Sequence, residues 1–152
     1  MDKKTVLKRL NIIYYGMFFL LVILATAFYL LIMKQVIPVI DPLSPWGKAI
    51  QYFVICDVLV TVPFGLWWHK RQCKTIAAIE DEQAQLTAYF KSAALRICLV
   101  SNTMLFAIPA YYILGAYMSM MWVAGIAAIG WYFTKPTERK MYFELHPNEE
   151  QY

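Results

Sequence analysis

Hydrophobic positions along the chain fall into long blocks separated by short polar segments. Residues 10–33 carry no charge, residues 49–68 carry a single acid, and residues 97–134 carry no charge. A helix needs about 20 apolar residues to cross the hydrocarbon core of a bilayer. The last block is long enough for two such helices with a tight turn near Pro109 and Gly115. The pattern therefore predicts four membrane-spanning helices. The predicted spans are residues 10–33, 49–68, 93–113 and 117–134.

The segments between the spans predict one loop and one further helix. Residues 34–48 hold three prolines and a glycine, which forbid a continuous helix. In residues 69–91, apolar side chains recur at helical spacings from Ile76 to Phe90, opposite an acidic face. We expect an amphipathic helix that begins near Thr75 and leads into the third span without a break. Its apolar stripe is expected on the membrane surface or on the bundle itself, with a partner-docking face as the alternative.

The two ends of the chain also carry predictions. The first span could be a cleaved signal peptide, because Ala25 and Ala27 have the small-x-small pattern of a cleavage site. Its apolar run continues to Met33, beyond the roughly 7–15 residues of a signal peptide, so an uncleaved helix is predicted. The tail, residues 135–152, is polar and is expected to hold a short helix from Thr137 to Leu145, stopped before Pro147.

Basic residues predict the orientation in the membrane. Of the 14 lysines and arginines, the four-span reading places 12 on one side and only Lys34 and Lys48 on the other. Lysine and arginine are enriched in cytoplasmic loops, so both termini are predicted to be cytoplasmic. A three-span reading would put the C-terminal basic cluster outside. The predicted fold is an all-α membrane protein of the bacterial inner membrane, a single polytopic domain built as two in-out-in hairpins.

Composition agrees with this class. The chain is 61% hydrophobic and 16% charged, with a mean hydropathy of +0.49, whereas soluble domains average about 45–50% apolar and about 25% charged residues. The net charge of +4 is small and dispersed. It argues against nucleic acid as a partner, and the basic residues beside the spans are expected to meet anionic lipid headgroups.

One acid lies well inside a span. Asp57 is in the middle of the second span, where an aspartate costs roughly 2.5–3.5 kcal/mol on insertion scales. At about 1.5 Å of rise per residue, Asn102 of the third span lies at a similar depth, with Ser101 and Thr103 beside it. We expect an intramembrane polar cluster of these four residues. It would either join two helices through a protonated Asp57 or act as a proton or cation relay.

Other polar and small residues are given interfacial or packing roles. Arg96, Lys70 and Arg71 are expected at the interface in contact with lipid headgroups, with an Arg96–Asp57 ion pair as the alternative for Arg96. Pro63 is expected to kink the second span. Ala124 and Ala128 form a small-xxx-small spacing for close helix packing.

Catalytic and metal signals are weak. The three cysteines have no metal-binding spacing and are predicted to be free thiols. His69 and Cys73 are four residues apart, on one helical face, but two ligands without a third are poor support for a metal site. We therefore predict no metal, no cofactor and no catalytic residues.

A pattern near the third span carries a resemblance. Tyr89, Ala93 and Arg96 enter that span, a short turn follows, and Lys135-Pro136-Thr137 with Lys140 precedes an acidic stretch at Glu149-Glu150. Residues 86–150 are in this respect similar to a group of small four-span membrane proteins of Bacteroidota. That group has no known activity, so the resemblance implies a fold and a membrane location only.

Three function classes follow from these observations. The first is a non-enzymatic accessory or assembly component of a membrane complex, with a membrane-protein partner or a second copy of itself. The alternative is a small homo-oligomeric transporter or channel that uses Asp57. A lipid-modifying enzyme is the third class, and it lacks a catalytic constellation in the sequence.

Overall fold

The computed structural model describes residues 2–146, and that part of the chain is helical without a strand. The predicted all-α fold is therefore confirmed. The five helices are α1 (Lys3–Met33), α2 (Pro45–Ala77), α3 (Glu82–Ile113), α4 (Met118–Tyr132) and α5 (Glu138–Leu145).

Three of these helices have the length and composition of membrane spans. α1, α2 and α3 are each long and apolar enough to cross a bilayer, which agrees with a multi-pass membrane protein. α4 is apolar but shorter. Its 15 residues extend about 22 Å, compared with a hydrocarbon core of about 30 Å.

The helices run back and forth between two ends of one bundle. At one end, the loop of residues 34–44 meets the α3–α4 turn, because the Ile40 amide donates to the Ile113 carbonyl at 2.8 Å. We call this the loop end. At the other end, an ion pair of 3.1 Å joins Lys3 near the start of α1 to Glu82 at the start of α3. We call this the basic end, and it also holds residues 78–81 and α5.

Local signals set the boundaries at the loop end. The Ser44 hydroxyl accepts from the Gly47 amide at 3.0 Å and caps α2, whose first residue is Pro45. The α3–α4 turn includes Gly115, whose φ of 68° is one that glycine adopts without strain. The predicted turn is thus at Gly115, while Pro109 lies inside α3.

The predicted start, near Thr75, of the helix that leads into the third span is wrong. α2 continues through Thr75 to Ala77, and the chain then leaves the helix until Glu82. The break is stabilised by Asp81, whose carboxylate accepts from the Gln83 and Ala84 amides at 3.2 Å each. The segment that leads directly into the third span is therefore the first turns of α3, and α2 and α3 form a long helical hairpin at the basic end.

α3 is the central helix and contacts α1, α2 and α4. Toward the basic end it packs in a core with side chains of α1, α2 and α5, including Leu10, Ile76 and Met141. Toward the loop end a second core lies between α2, α3 and α4. Trp131 packs against both cores and stacks on Tyr14, with ring centroids 4.2 Å apart.

α4 approaches α2 most closely at Gly130. Ala127 is fully buried, and a Cβ at Gly130 would lie 2.5 Å from Val62 Cγ1 of α2. Ala124 and Ala128 are partly buried, and Ala124 packs against the core between α2, α3 and α4. Pro63 lies within the continuous helix α2, at an exposed position.

The short helix of the tail is confirmed. α5 spans Glu138–Leu145, and the Thr137 hydroxyl caps it by accepting from the Lys140 amide at 3.3 Å. It lies mainly against α2, and its side chains also reach α3 through Glu144. The acidic stretch Glu149-Glu150 and the stop at Pro147 lie outside the described residues.

Candidate functional site

The predicted intramembrane cluster does not assemble as a hydrogen-bonded group. Asp57 is half-buried, and its Oδ1 accepts from the Thr61 hydroxyl one turn along the same helix, at 3.0 Å. Its Oδ2 is buried, and it has no hydrogen-bond partner in the described part of the chain. Asn102 is exposed on the bundle surface, whereas Ser101 and Thr103 are buried. Rise per residue fixes the depth of a side chain but not its direction around the helix, and direction separates Asn102 from Asp57.

A different set of polar residues is brought together at the basic end. α2 contributes His69 and Cys73, which are one turn apart. α3 contributes Tyr89, Ser92 and Arg96 along one face of the helix. These five residues are at most 6% exposed. We call them, together with Glu144 of α5, the basic-end cluster.

Glu144 is the centre of the basic-end cluster. Its Oε2 accepts from the Tyr89 hydroxyl at 2.6 Å and lies 3.2 Å from His69 Nε2. Its Oε1 accepts from Arg96 Nη1 at 3.0 Å. Burial alone would raise the pKa of Glu144, but the His69 hydrogen bond and the Arg96 charge outweigh it and lower the pKa to about 2. Glu144 is therefore a carboxylate with three donors around it.

His69 connects Glu144 to α3. Its Nδ1 lies 2.8 Å from the Ser92 hydroxyl, on the side of the ring away from Glu144. Burial lowers the pKa of His69, and the Glu144 contact only partly offsets this. The ring is thus neutral near pH 7. With Glu144 as its acceptor, Nε2 carries the proton and Nδ1 accepts from Ser92.

Cys73 completes a group of three possible metal ligands. Its Sγ lies 3.3 Å from His69 Nε2. The ligand atoms of His69, Cys73 and Glu144 all lie within 4.8 Å of one another. Burial raises the pKa of Cys73 to about 12, so without a metal it is a thiol. All three cysteines are free, as predicted.

Arg96 is buried and only partly satisfied. Its side chain is 3% exposed and pairs with Glu144 rather than with Asp57. Among residues 2–146, no group forms a hydrogen bond with its Nε or Nη2. A buried guanidinium with free donors is costly, because each unsatisfied donor loses its water without replacement.

A cavity of about 630 Å³ lies beside the basic-end cluster. Arg96, Lys70, Lys74 and Lys140 line it, and of the residues described, Glu144 is the one acid in its lining. Leu66, Phe133 and Phe143 add apolar walls. Burial and the nearby Arg96 charge lower the pKa of Lys140, as expected where positive charge is in excess. We call this the basic cavity.

The other predicted basic residue lies elsewhere. Arg71 is exposed, and its guanidinium lies over the Trp67 ring, 5.6 Å from the ring centroid. Two further cavities lie along the start of α1 and are also lined by Glu138.

Ser92 and Glu144 are the site residues that sequence reasoning missed, and Glu144 is the more consequential of the two. It lies 75 residues beyond His69 in the chain, and nothing in its neighbourhood marks it as a ligand or a counterion. The available signal was the helical spacing of His69 and Cys73, combined with the predicted short helix from Thr137 to Leu145 in the tail.

Comparisons with protein-family models, with curated proteins and with solved structures find no match to this chain.

Proposed function

We propose that this protein is a four-span, non-enzymatic component of the bacterial inner membrane, accessory to or assembling with a membrane complex, and that it binds an anionic lipid headgroup in the basic cavity. Both termini are proposed to be cytoplasmic, which places the basic end on the cytoplasmic side. The observation that carries the lipid site is the buried Arg96 with two free donor atoms beside three lysines.

The chemistry of the basic cavity favours a phosphate-bearing ligand. Arginine N–H groups form charge-assisted hydrogen bonds with phosphate oxygens. A phosphate would supply acceptors for Arg96 and neutralise part of the excess charge contributed by Lys70, Lys74 and Lys140. A soluble anion would need only the charges, whereas a lipid also has acyl chains that suit apolar walls.

The position of the cavity supports a lipid as the source of that phosphate. Leu66 belongs to the apolar stretch of residues 49–68, while Lys70 and Lys74 follow in the polar segment. The cavity therefore straddles the boundary between an apolar and a polar stretch of α2, where the headgroups of a bilayer would lie.

The fourth span is supported by the path of α4. It starts at the α3–α4 turn, which touches the Ile40 loop, and it leads to α5 at the basic end. Because α4 begins at the loop end and leads to the basic end, it runs along the length of the bundle, as a fourth span would. α4 has 15 residues, and Phe133, which follows it, adds to the apolar length available to cross the bilayer.

Native mass spectrometry tests this proposal in nanodiscs that contain phosphatidylglycerol and phosphatidylethanolamine. We expect the protein to retain phosphatidylglycerol. The double variant Lys70→Ala/Lys74→Ala should retain less, by about 2 kcal/mol or roughly 30-fold in affinity at about 1 kcal/mol per lysine. The same spectra report whether another protein or a second copy is bound stoichiometrically.

The matched control is Lys34→Ala/Lys48→Ala, which removes two exposed lysines at the opposite end. It should leave phosphatidylglycerol retention unchanged. Equal losses in the two double variants, or equal retention of the two lipids by the unmodified protein, would contradict a headgroup site in the basic cavity.

Transport through Asp57, the alternative function, has less support. Asp57 is paired with Thr61 of its own helix, and it lines none of the three cavities described above.

A further inference from the structure

We propose that His69, Cys73 and Glu144 bind a zinc-like divalent cation at the edge of the basic cavity. Imidazole, thiolate and carboxylate are the three protein ligands that zinc takes in proteins. The inference is independent of lipid binding, because it rests on ligand atoms that the lysines of the cavity do not include.

The spacing of the ligand atoms suits a tetrahedral ion. Zinc bonds of about 2.0–2.3 Å put neighbouring ligand atoms of a tetrahedron about 3.3–3.6 Å apart. His69 Nε2 lies 3.2 Å from Glu144 Oε2 and 3.3 Å from Cys73 Sγ. The third distance is also at most 4.8 Å. Two of the three edges thus already have the length of a tetrahedral zinc site, and the Cys73–Glu144 edge has to close by at most about 1.5 Å around an ion.

The surroundings hold the ligands in place from the outside. A histidine that binds metal through Nε2 must carry its proton on Nδ1, and Ser92 is placed to accept it at 2.8 Å. Arg96 holds Glu144 through Oε1, and Tyr89 donates to Oε2, whose second lone pair is left to face the ion. Partners of this kind are typical of metal sites, where they fix the orientation of the ligands.

The ligands themselves neutralise a divalent cation, which offsets the repulsion from Arg96 and the lysines of the cavity. The Cys73 thiolate and the Glu144 carboxylate supply two negative charges, which match a divalent ion, and the thiol proton leaves to solvent on binding. All three ligands line the basic cavity. The fourth coordination position would therefore face the cavity and accept water or an anion.

Cobalt titration of the chelator-treated protein in neutral detergent tests the site. The variant to use is Cys56→Ser/Cys98→Ser, because these two exposed cysteines are removed and Cys73 is the one thiol that remains. We expect one cobalt ion per chain, with thiolate-to-cobalt charge-transfer absorption that added zinc abolishes. Absence of a saturable thiolate band in this folded variant would overturn the proposal.

Two further variants locate the ligands. Cys73→Ser should lose the thiolate band, and retention of the band there would overturn the assignment. Ser92→Ala leaves all three ligands intact and should weaken cobalt binding by roughly 10–100-fold through the His69 orientation. If Cys73→Ser does not fold, the double cysteine variant alone decides. Lipid retention by Lys70→Ala/Lys74→Ala is read separately, so failure of one proposal is distinguishable from failure of the other.

Discussion

At the residue scale, a single carboxylate joins the buried polar side chains of the basic end. Glu144 accepts from Tyr89, His69 and Arg96, and it brings α5 against both α2 and α3. Removing one partner of a buried ion pair is typically far more costly than the pair is stabilising, because the other charge is left without compensation. The stability of the fold therefore depends on Glu144 and Arg96 as a pair, because loss of either one leaves the other as an unpaired buried charge.

Acid should weaken the fold through Glu144. Its pKa is about 2 in the folded protein and 4.5 without the fold, so its contribution is complete above 4.5 and is lost as pH falls from 4.5 toward 2. The contribution is on the order of 3 kcal/mol. Thermal unfolding in detergent with chelator, between about pH 7 and about pH 3, measures the loss.

The control for this acid dependence is Glu144→Gln. It keeps the size of the side chain but cannot titrate. The variant should be less stable than the unmodified protein at about pH 7, and it should lose less stability between about pH 7 and about pH 3. An unchanged acid dependence in Glu144→Gln would assign the effect to other carboxylates. His69 contributes in the same direction, because its lowered pKa also favours the fold at higher pH.

At the element scale, the close approach of α4 to α2 depends on one glycine. A Cβ at Gly130 would lie 2.5 Å from Val62 Cγ1. Val62 is buried and β-branched, so it has little freedom to rotate away. Close helix contact in lipid is built on small residues of this kind.

Substitution of this glycine should separate α4 from α2. Gly130→Ala is expected to destabilise the protein by about 1–3 kcal/mol, the usual cost of overpacking. Gly125→Ala is the matched control on the same helix, because a Cβ there meets no described atom within 4 Å outside its own helix backbone and chain neighbours. Gly125→Ala should be neutral or slightly stabilising. Equal thermal unfolding of the two variants would show that the Gly130 contact is not tight.

The sequence predicted helices better than it predicted their contacts. The α3–α4 turn and the α5 helix follow from glycine, threonine and apolar spacing, which are local signals. The break at residues 78–81 was missed because the apolar stripe from Ile76 to Phe90 continues through it. The break ends at Asp81, which caps the start of α3. Helix rotation and the Glu144 contacts depend on tertiary packing, which leaves no periodic mark in the chain.

At the scale of the whole molecule, the bundle separates charge between its ends. Lys34 and Lys48 lie at the loop end, and the other 12 basic residues lie in segments toward the basic end. This asymmetry is the basis for proposing that the basic end is cytoplasmic.

Cysteine labelling tests that orientation in the Cys56→Ser/Cys98→Ser background. Leu43→Cys at the loop end should react with a membrane-impermeant maleimide in intact cells. Ala84→Cys and Glu138→Cys at the basic end should react only after permeabilisation. All three positions are exposed. Labelling of Glu138→Cys in intact cells, with Ala84→Cys still protected, would contradict the fourth span.

The pairing of Arg96 with Glu144 also has a consequence for biosynthesis. The two residues are 48 positions apart, so a ribosome that adds about 5–20 residues per second makes the carboxylate about 2–10 seconds after the guanidinium. During that interval α4 is synthesised while the Glu144 carboxylate that pairs with Arg96 does not yet exist. The Arg96–Glu144 ion pair can therefore form only near the end of translation, after the first three helices have been made.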